Sequence, residues 1–370
     1  MKITIINRMM GINRGGGEYF DLNIARALRK LGAEVRFVVG CRRHRSRLPL
    51  DEFEVTYVRT PYLRSIEYRY NMSRSRLARS LAWRARALDD LIFARAVYHH
   101  LRNDRDTDIY QFCGLPCAAA MFAKMGRKAV TWWRGPPSKG GLATVRDCAG
   151  SFTHGISLIK ARELDPTVAR IDPGCDTGLF SPPPRRQQSK KRCRFLYVGR
   201  CIPIKNLGFL IDGFARAQKH KSEISLAIIG DGEQLPMLRE KIDAMGLGDS
   251  VVLSGTQAGS TLAQSYREAD CFTLVSHFES FSMVVQEAMS SGLPLILGKV
   301  GYLPYWIREF GAGTLVNPSN IDELAKAMVW WTEHPAERLH AGKKNRCAAE
   351  QHFSWDTSAN NLLAFYDSIL

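Results

Sequence analysis

The chain has 370 residues, of which 45% are hydrophobic and 24% charged, and its net charge is +16. That length predicts two domains rather than one core, and the composition is ordinary for a folded protein. No stretch of about 18 uncharged apolar residues occurs, so we expect no membrane-spanning helix. Nine scattered cysteines without paired C-x-x-C spacing argue against a zinc site or a disulfide framework and favour a reducing cytosol.

The positive charge is concentrated in one part of the chain. Residues 41–105 contain fifteen arginines, no lysine and seven acidic residues, which gives +8, half of the excess. A field of this sign attracts nucleic acid, anionic lipid or phosphorylated glycans. Because no nucleic-acid-binding module is visible, we do not expect nucleic acid as the partner.

The N-terminal half begins as a strand–helix–strand unit. The apolar start at 2–7 predicts a strand rather than a signal peptide, because charge interrupts it too soon. A glycine-rich loop, a helix at about 18–31 and a strand at 34–39 follow. Two more buried strands are predicted at 107–112 and 128–133, with an alanine-rich helix between them. We predict an N-terminal Rossmann-like domain over 1–185, with the arginine-rich insertion at about 41–105.

A proline-rich and then basic stretch, 180–191, cannot lie inside a sheet and is predicted to be the domain linker. Regular strand–helix alternation follows, which predicts a second parallel, doubly wound sheet over 186–351. The segment 352–370 is predicted to be a further amphipathic helix. In the second domain, strands are predicted at 194–198, 224–229, 251–253, 271–275, 293–297 and 314–316. Its helices are predicted at about 207–219, 233–245, 259–268, 282–291 and 320–333.

Loops at the carboxyl ends of such strands are where ligands bind. The first candidate loop places Arg200 and Lys205 five residues apart around a proline turn, before a predicted helix. Two cations and a helix N-terminus suit a pyrophosphate. A solvated basic loop is the alternative. The turn 230–233, Gly-Asp-Gly-Glu, is a weaker signal that an ordinary strand-to-helix turn also explains.

The third loop has two glutamates eight residues apart. Glu279 lies in the loop, whereas Glu287 falls within a helix among apolar neighbours, where a carboxylate needs hydroxyl or amide donors. Sugar and ribose hydroxyls are such donors. The backbone N–H groups of Ser282, Met283 and Val284 at the helix start are available for a phosphate. The alternative is that both glutamates lie on a solvated helix face.

These motifs resemble those of the retaining glycosyltransferase family 4, the glycosyl transferases group 1, of the GT-B fold. That family has a G-R-x-x-x-x-K loop, a G-D/E-G turn, and E-x-F-x-x-x-x-x-E followed by A-M-x-x-G-x-P, and all three occur here in order. The similarity is good over about 194–330 and weaker elsewhere. It implies two Rossmann-like domains facing a central cleft, with the C-terminal helix, 352–370, crossing back to the N-terminal domain.

The resemblance also implies roles for individual residues. Arg200 and Lys205 would hold the donor diphosphate, and Glu279 the donor sugar, as the catalytic group. The remaining donor-binding residues would be Gly16, Gly17, Gly255, Thr256, Phe281, Ser282, Met283, Val284 and Glu287. Neither a metal nor a cofactor would be needed, because the nucleotide sugar is a substrate and the two cations stabilise its leaving group.

Three departures from the family pattern stand out. Arg134 or Trp133 occupies the place of a common histidine at the end of the strand 130–133, so Arg134 and Glu18 are candidates for contact with the donor sugar or the acceptor. Ser282 replaces a common glycine. Residues 301–305 read Gly-Tyr-Leu-Pro-Tyr where the family has G-G-x-P-E. These changes indicate an unusual donor or acceptor, or an inactive member.

Within the basic insertion, residues 72–97 fit a helix with Leu77, Leu81, Leu88 and Ile92 on one face. Its opposite face carries Arg79, Trp83 and Arg86, a membrane or acceptor patch. A tryptophan between arginines suits the headgroup region of an anionic membrane. The alternative is a packed helix with a solvated arginine face.

The sequence therefore predicts a cytoplasmic hexosyltransferase, peripheral at the inner face of the cell membrane. It would use a UDP- or GDP-sugar and a lipid-linked glycan, lipopolysaccharide core or polysaccharide precursor. A nucleotide-sugar epimerase and a non-catalytic protein that binds nucleotide sugar or anionic lipid remain alternatives. A dehydrogenase is disfavoured because residues 11–17 lack G-x-G-x-x-G spacing, although Arg42 and Arg43 could bind the 2′-phosphate of NADP.

Overall fold

A computed structural model describes residues 1–12, 16–41, 49–59, 75–184 and 193–370, without the side chains of Arg76 and Arg79. The chain forms two compact units. The N-terminal unit contains Met1–Pro173 together with Ser358–Leu370, and the C-terminal unit contains Gly174–Thr357. The division therefore falls before the proline-rich stretch that we predicted as the linker.

The N-terminal unit is built on a sheet of seven parallel strands in the order β3-β2-β1-β4-β5-β6-β7. The central strand β4 is buried along its whole length, as expected for a parallel sheet covered on both faces. The strands are β1 Lys2–Asn7, β2 Glu34–Cys41, β3 Glu54–Arg59, β4 Ile109–Cys113, β5 Ala129–Trp132, β6 Gly150–Thr153 and β7 Ala169–Arg170.

In the described residues, the helices that follow strands β1 and β3 to β6 of this unit are α1 Gly16–Lys30, α2 Arg76–Leu101, α3 Pro116–Ala123, α4 Lys139–Thr144 and α5 Gly155–Arg162. Helix α2 starts and ends a few residues later than predicted, and it does not pack through the predicted apolar face. Its buried side chains in the described residues are Ala82, Ala85, Asp89, Phe93, Ala94, Val97 and Leu101. The leucines of the predicted apolar face are exposed instead.

The C-terminal unit has a sheet of six parallel strands in the order β10-β9-β8-β11-β12-β13. The order reverses between β8 and β11, which is the switch point where doubly wound sheets bind ligands. The strands are β8 Cys193–Val198, β9 Ile224–Ile229, β10 Val251–Leu253, β11 Cys271–Leu274, β12 Leu295–Gly298 and β13 Gly313–Val316. Two doubly wound sheets confirm the predicted α/β class.

The helices of the C-terminal unit are α6 Leu207–Gln218, α7 Leu235–Ala244, α8 Gly259–Glu268, α9 Met283–Ser290, α10 Leu303–Phe310, α11 Ile321–Glu333 and α12 Pro335–His352. Helix α13, Trp355–Asp367, lies mostly in the N-terminal unit, where the Tyr366 hydroxyl donates to Oε1 of Gln111. Within the described residues, no helix is long and apolar enough to cross a membrane.

The start of the predicted linker is packed into the C-terminal unit. The Phe180 carbonyl accepts hydrogen bonds from Ser290 Oγ at 2.5 Å and Arg346 Nη1 at 3.0 Å. The basic remainder, 185–192, lies outside the described residues.

Candidate active site

The loop after β8 holds the first predicted pair of cations. Lys205 ends a short 3-10 helix, Pro203–Lys205, and Asn206 then takes a left-handed conformation with φ of 56°. The side-chain amide of Asn206 donates to the Val275 carbonyl at 3.3 Å, and the N–H of His277 donates to the Ile204 carbonyl at 2.8 Å. These bonds tie this loop to the loop that follows β11.

That connection brings two predicted site residues into contact. Nζ of Lys205 lies 2.5 Å from Oε1 of Glu279, and Ser276 Oγ donates to the same oxygen at 2.8 Å. The side chains are 16% and 9% exposed, so the pair is sheltered but reachable from solvent. The second carboxylate oxygen of Glu279 forms no hydrogen bond with the described residues.

Arg200, the other predicted cation, is exposed and forms no side-chain hydrogen bond or ion pair with the described residues. Its carbonyl accepts a hydrogen bond from the Tyr197 hydroxyl at 2.9 Å. Burial raises the pKa of Tyr197; Cys201 and Glu279 raise it further, and Arg200 lowers it. Arg200 and Glu279 are therefore within electrostatic reach of one hydroxyl.

Glu287 lies apart from these groups, on helix α9. Oε2 of Glu287 accepts a hydrogen bond from the Tyr266 hydroxyl at 2.9 Å. Burial raises its pKa from 4.5 to about 7, although the hydrogen bond from Tyr266 acts in the opposite direction. Among the described residues, Glu287 makes no ion pair with either predicted cation, so direct contact links only Lys205 and Glu279.

Close backbone packing explains the glycines of the first two loops. A Cβ atom on Gly230 would overlap the Gly199 carbonyl, and one on Gly232 would overlap the Cys201 carbonyl. The N–H of Gly230 donates to the Gly255 carbonyl at 2.7 Å, and Gly255 has a left-handed φ of 65°. The Gly-Asp-Gly turn thus joins the first loop to the loop that contains the predicted donor-binding residues Gly255 and Thr256.

Helix α9 begins next to the Lys205–Glu279 pair in sequence. Its N-cap, Ser282, has φ of 86°, a conformation that favours the glycine found at this place in the family. The Phe281 carbonyl accepts a hydrogen bond from Trp306 Nε1 at 2.7 Å, which fixes the entry to the helix. The first N–H groups of a helix, here those of Met283 and Val284, have no partner within the helix.

In the N-terminal unit, Arg134 and Glu18, which were predicted as separate candidates for contact with the donor sugar or the acceptor, form an ion pair. Nη2 of Arg134 lies 2.6 Å from Oε1 of Glu18, whose side chain is buried. A Cβ atom on Gly17 would lie 2.5 Å from the Arg134 guanidinium, so glycine leaves the room that this side chain occupies. Gly16 is the first residue of α1. Their contact with a donor stays a prediction.

Sequence reasoning missed two residues beside the predicted ones. Asp21 is fully buried, accepts a hydrogen bond from Nδ2 of Asn7 at 2.6 Å, and burial raises its pKa to about 7. An acid on the apolar face of α1 was the signal that could have revealed it. Tyr266 could not have been found, because only the fold brings it to Glu287.

A cavity of about 590 Å³ lies in the N-terminal unit. Trp83 and Arg86 from α2 line it together with Trp133 and Arg134. Two groups of predicted residues that are separated in sequence therefore meet at one cavity. Arg79 was predicted on the same helix face, but its side chain lies outside the described part of the chain.

Comparisons with known proteins agree with this geometry. Residues 183–347 match the family of glycosyl transferases group 1. The D-inositol 3-phosphate glycosyltransferase of Segniliparus rotundus is 30% identical over 213 residues, which are 54% of this chain and 46% of that protein. The match thus spans about half the length of this protein and of a similar curated relative.

Solved structures extend the likeness to the entire fold. Anabaena HepE in complex with UDP has a TM-score of 0.77 at 18% identity, with 100% of both chains covered. The apo lipopolysaccharide outer core galactosyltransferase WaaB has a TM-score of 0.70 at 20% identity, also over 100% of both chains. The fold is GT-B. The match of residues 183–347 to the glycosyl transferases group 1 confirms the resemblance of the C-terminal half to that family.

Proposed function

We propose that the protein transfers a hexose from a UDP- or GDP-sugar to a lipid-linked glycan, lipopolysaccharide core or polysaccharide precursor. The reaction retains the anomeric configuration, needs no metal, and takes place in the cytoplasm at the inner face of the membrane. The observation that carries the proposal is the contact between Lys205 and Glu279, two motif residues from different loops at the edge of the sheet. The complex of HepE with UDP supports a uridine nucleotide.

Lys205 and Arg200 act on the leaving diphosphate. An ammonium group has three donors, so Lys205 keeps its bond to Glu279 and still donates to phosphate oxygens. Arg200 adds a guanidinium that has no partner among the described residues. Positive charge placed where negative charge develops stabilises the transition state by about 3–4 kcal/mol per group.

The two glutamates bind hydroxyl groups. Lys205 and Ser276 both contact Oε1 of Glu279, which leaves Oε2 for a hydroxyl of the donor sugar. In the same way Tyr266 contacts Oε2 of Glu287, which leaves Oε1 for the ribose. As the bond between the sugar and the diphosphate breaks, the acceptor hydroxyl bonds to the anomeric carbon on the same face and passes its proton to the departing phosphate oxygen.

The N-terminal cavity is the place that we assign to the acceptor. Its tryptophans, Trp83 and Trp133, suit the apolar faces of sugar rings, and Arg86 and Arg134 supply donors for hydroxyl, carboxylate or phosphate groups. Two similar proteins have names that specify a phosphorylated cyclitol or a lipopolysaccharide core, which supports an acceptor of this kind.

A donor screen tests the proposal. Purified protein is incubated with UDP- and GDP-hexoses and membrane glycolipid extract, and free UDP or GDP is measured with and without EDTA. We expect release of one nucleotide that depends on the acceptor and is unchanged by EDTA. Conversion of the nucleotide sugar without acceptor would identify an epimerase, and binding without turnover would identify a non-catalytic protein. Binding of NADP but neither nucleotide would refute a transferase.

A further inference from the structure

One face of α2 presents a row of leucines to solvent. The exposed fractions are 84% for Leu77, 54% for Leu81, 50% for Leu88 and 55% for Leu91. At about 100° per residue these four side chains fall within roughly 80° of one another. At about 1.5 Å per residue the row is roughly 21 Å long. A contiguous apolar patch of this kind marks an interaction surface. We call it the leucine face.

The leucine face is positively charged as well as apolar. By the same helical period Arg84 and Arg95 lie within it, and neither forms an ion pair with the described residues. The acidic residues of α2, Asp89 and Asp90, lie on another side, where Arg8 binds both. The face therefore carries cations without neighbouring carboxylates from its own helix.

We propose that the leucine face of α2 rests on an anionic lipid bilayer. Leucines in a straight row enter the boundary between headgroups and acyl chains, and arginines between them meet lipid phosphates. The net charge of the chain, +16, favours an anionic bilayer over a protein partner that has few acidic residues. The role that the sequence assigned to Arg79, Trp83 and Arg86 thus moves to a different face of the same helix.

Three of the four leucines of this surface lie outside the cavity assigned to the acceptor. Trp83, Arg86 and, from the leucine face, Leu91 line the cavity, whereas Leu77, Leu81 and Leu88 do not. A bilayer contact through these three leucines therefore leaves the cavity side of α2 free for an acceptor. The proposal goes beyond the transferase activity and stands or falls without it.

Vesicle flotation tests the proposal with the full chain. One vesicle preparation contains phosphatidylcholine alone, and the other an equal mixture of phosphatidylcholine and phosphatidylglycerol. We expect the protein to float with the anionic vesicles only. Replacing Leu77, Leu81 and Leu88, the leucines outside the cavity, together by glutamine should abolish flotation. The double substitution Arg84→Gln and Arg95→Gln should weaken binding by about 30-fold.

A matched variant replaces three exposed apolar residues outside α2, namely Leu31, Leu164 and Met237, by glutamine. We expect it to float like the original protein. The proposal is overturned if the original protein ignores anionic vesicles, or if the leucine variant floats as well as the control. Light scattering that shows a dimer broken by the leucine variant would overturn it too, because the face would then join two copies of the chain.

Binding of UDP and GDP to the leucine variant provides the last control. We expect it to be unchanged, which shows that the variant is folded. If the original protein floats with anionic vesicles but binds neither nucleotide, the transferase proposal fails and the membrane surface remains. The two proposals are therefore tested separately.

Discussion

The two units use ion pairs in opposite ways. In the C-terminal unit, Lys205 and Glu279 come from loops that follow the carboxyl ends of strands β8 and β11. Their side chains are 16% and 9% exposed. In the N-terminal unit, Arg8 and Asp89 lie between a helix and the sheet, with 2% and 0% exposed. A ligand can share the first pair, because it sits where anions can enter. The second pair is almost completely excluded from solvent, although Arg8 also lines the N-terminal cavity.

Burial decides what each pair contributes. Arg8 also bonds to Asp90, at 3.1 Å from its Nε atom, so one guanidinium holds two carboxylates. Removing one partner from such a cluster leaves charge in a medium that solvates it poorly. The cluster therefore fixes the position of α2, whereas the loop pair is available for chemistry. The predictions below separate these roles.

The largest effect is expected from Arg8→Met. Because Asp89 and Asp90 would lose their buried partner, the free energy of unfolding should fall by about 3–5 kcal/mol. Urea denaturation measures the change. The control Arg26→Met breaks an exposed pair with Glu52 and should cost about 1 kcal/mol or less. Equal effects for the two variants would contradict a special role for the buried cluster.

Lys205→Ala should lower the turnover number by about 100- to 1,000-fold, because one cation is lost from the leaving group. Nucleotide release measures turnover, and circular dichroism checks that the fold is intact. Lys241→Ala, which breaks the pair with Asp212 in the same unit, should leave turnover unchanged. Full activity of Lys205→Ala would refute the assigned role.

Donor affinity should rise with pH through about 7. Ribose hydroxyls donate to the ionised form of Glu287, and burial raises the pKa of this group to about 7. The ionised fraction, and with it the affinity for a nucleotide sugar, should therefore increase about tenfold between roughly pH 6 and pH 8. Titration calorimetry at several pH values measures the trend. Glu287→Gln should remove it, and an unchanged slope in that variant would assign it to another group.

The smallest effect is expected from Ser282→Gly. A non-glycine residue with φ of 86° is strained, so glycine should stabilise the C-terminal unit by about 1 kcal/mol. The control Ser260→Gly, at an exposed position in α8, should destabilise by about 0.5–1 kcal/mol. Thermal unfolding distinguishes the two signs. Destabilisation by both variants would show that a contact of the Ser282 side chain stabilises the unit by more than the backbone strain at this residue destabilises it.

Much of the C-terminal unit could be predicted because its local patterns agree with its fold. Strands β9 and β10 have the predicted bounds, and α8 has the predicted range. Helix α10 was missed because it is short and has a proline near its start. The contact between Lys205 and Glu279 depends on the Asn206 and His277 hydrogen bonds, which no sequence pattern reveals.

The N-terminal unit was harder to predict, since its decisive contacts join distant positions. Glu18 and Arg134 were suspected only from the resemblance, and their pairing needed the fold. The leucines of α2 follow a helical period that favours burial, yet the alanines of a neighbouring face take that place. Periodicity identifies an amphipathic helix without saying which face meets the core.

The two chain ends of the C-terminal unit lie next to each other, which matters for replacing this unit with one from another protein. Near its first residue, the N–H of Cys175 donates to the Phe353 carbonyl at 2.6 Å, and Cys175 also bridges to Ser354 near its last residue. Both ends of the unit therefore leave it side by side. In the chain, the C-terminal unit is inserted between two parts of the N-terminal unit. A C-terminal unit from another protein would therefore need its first and last residues to lie side by side in the same way.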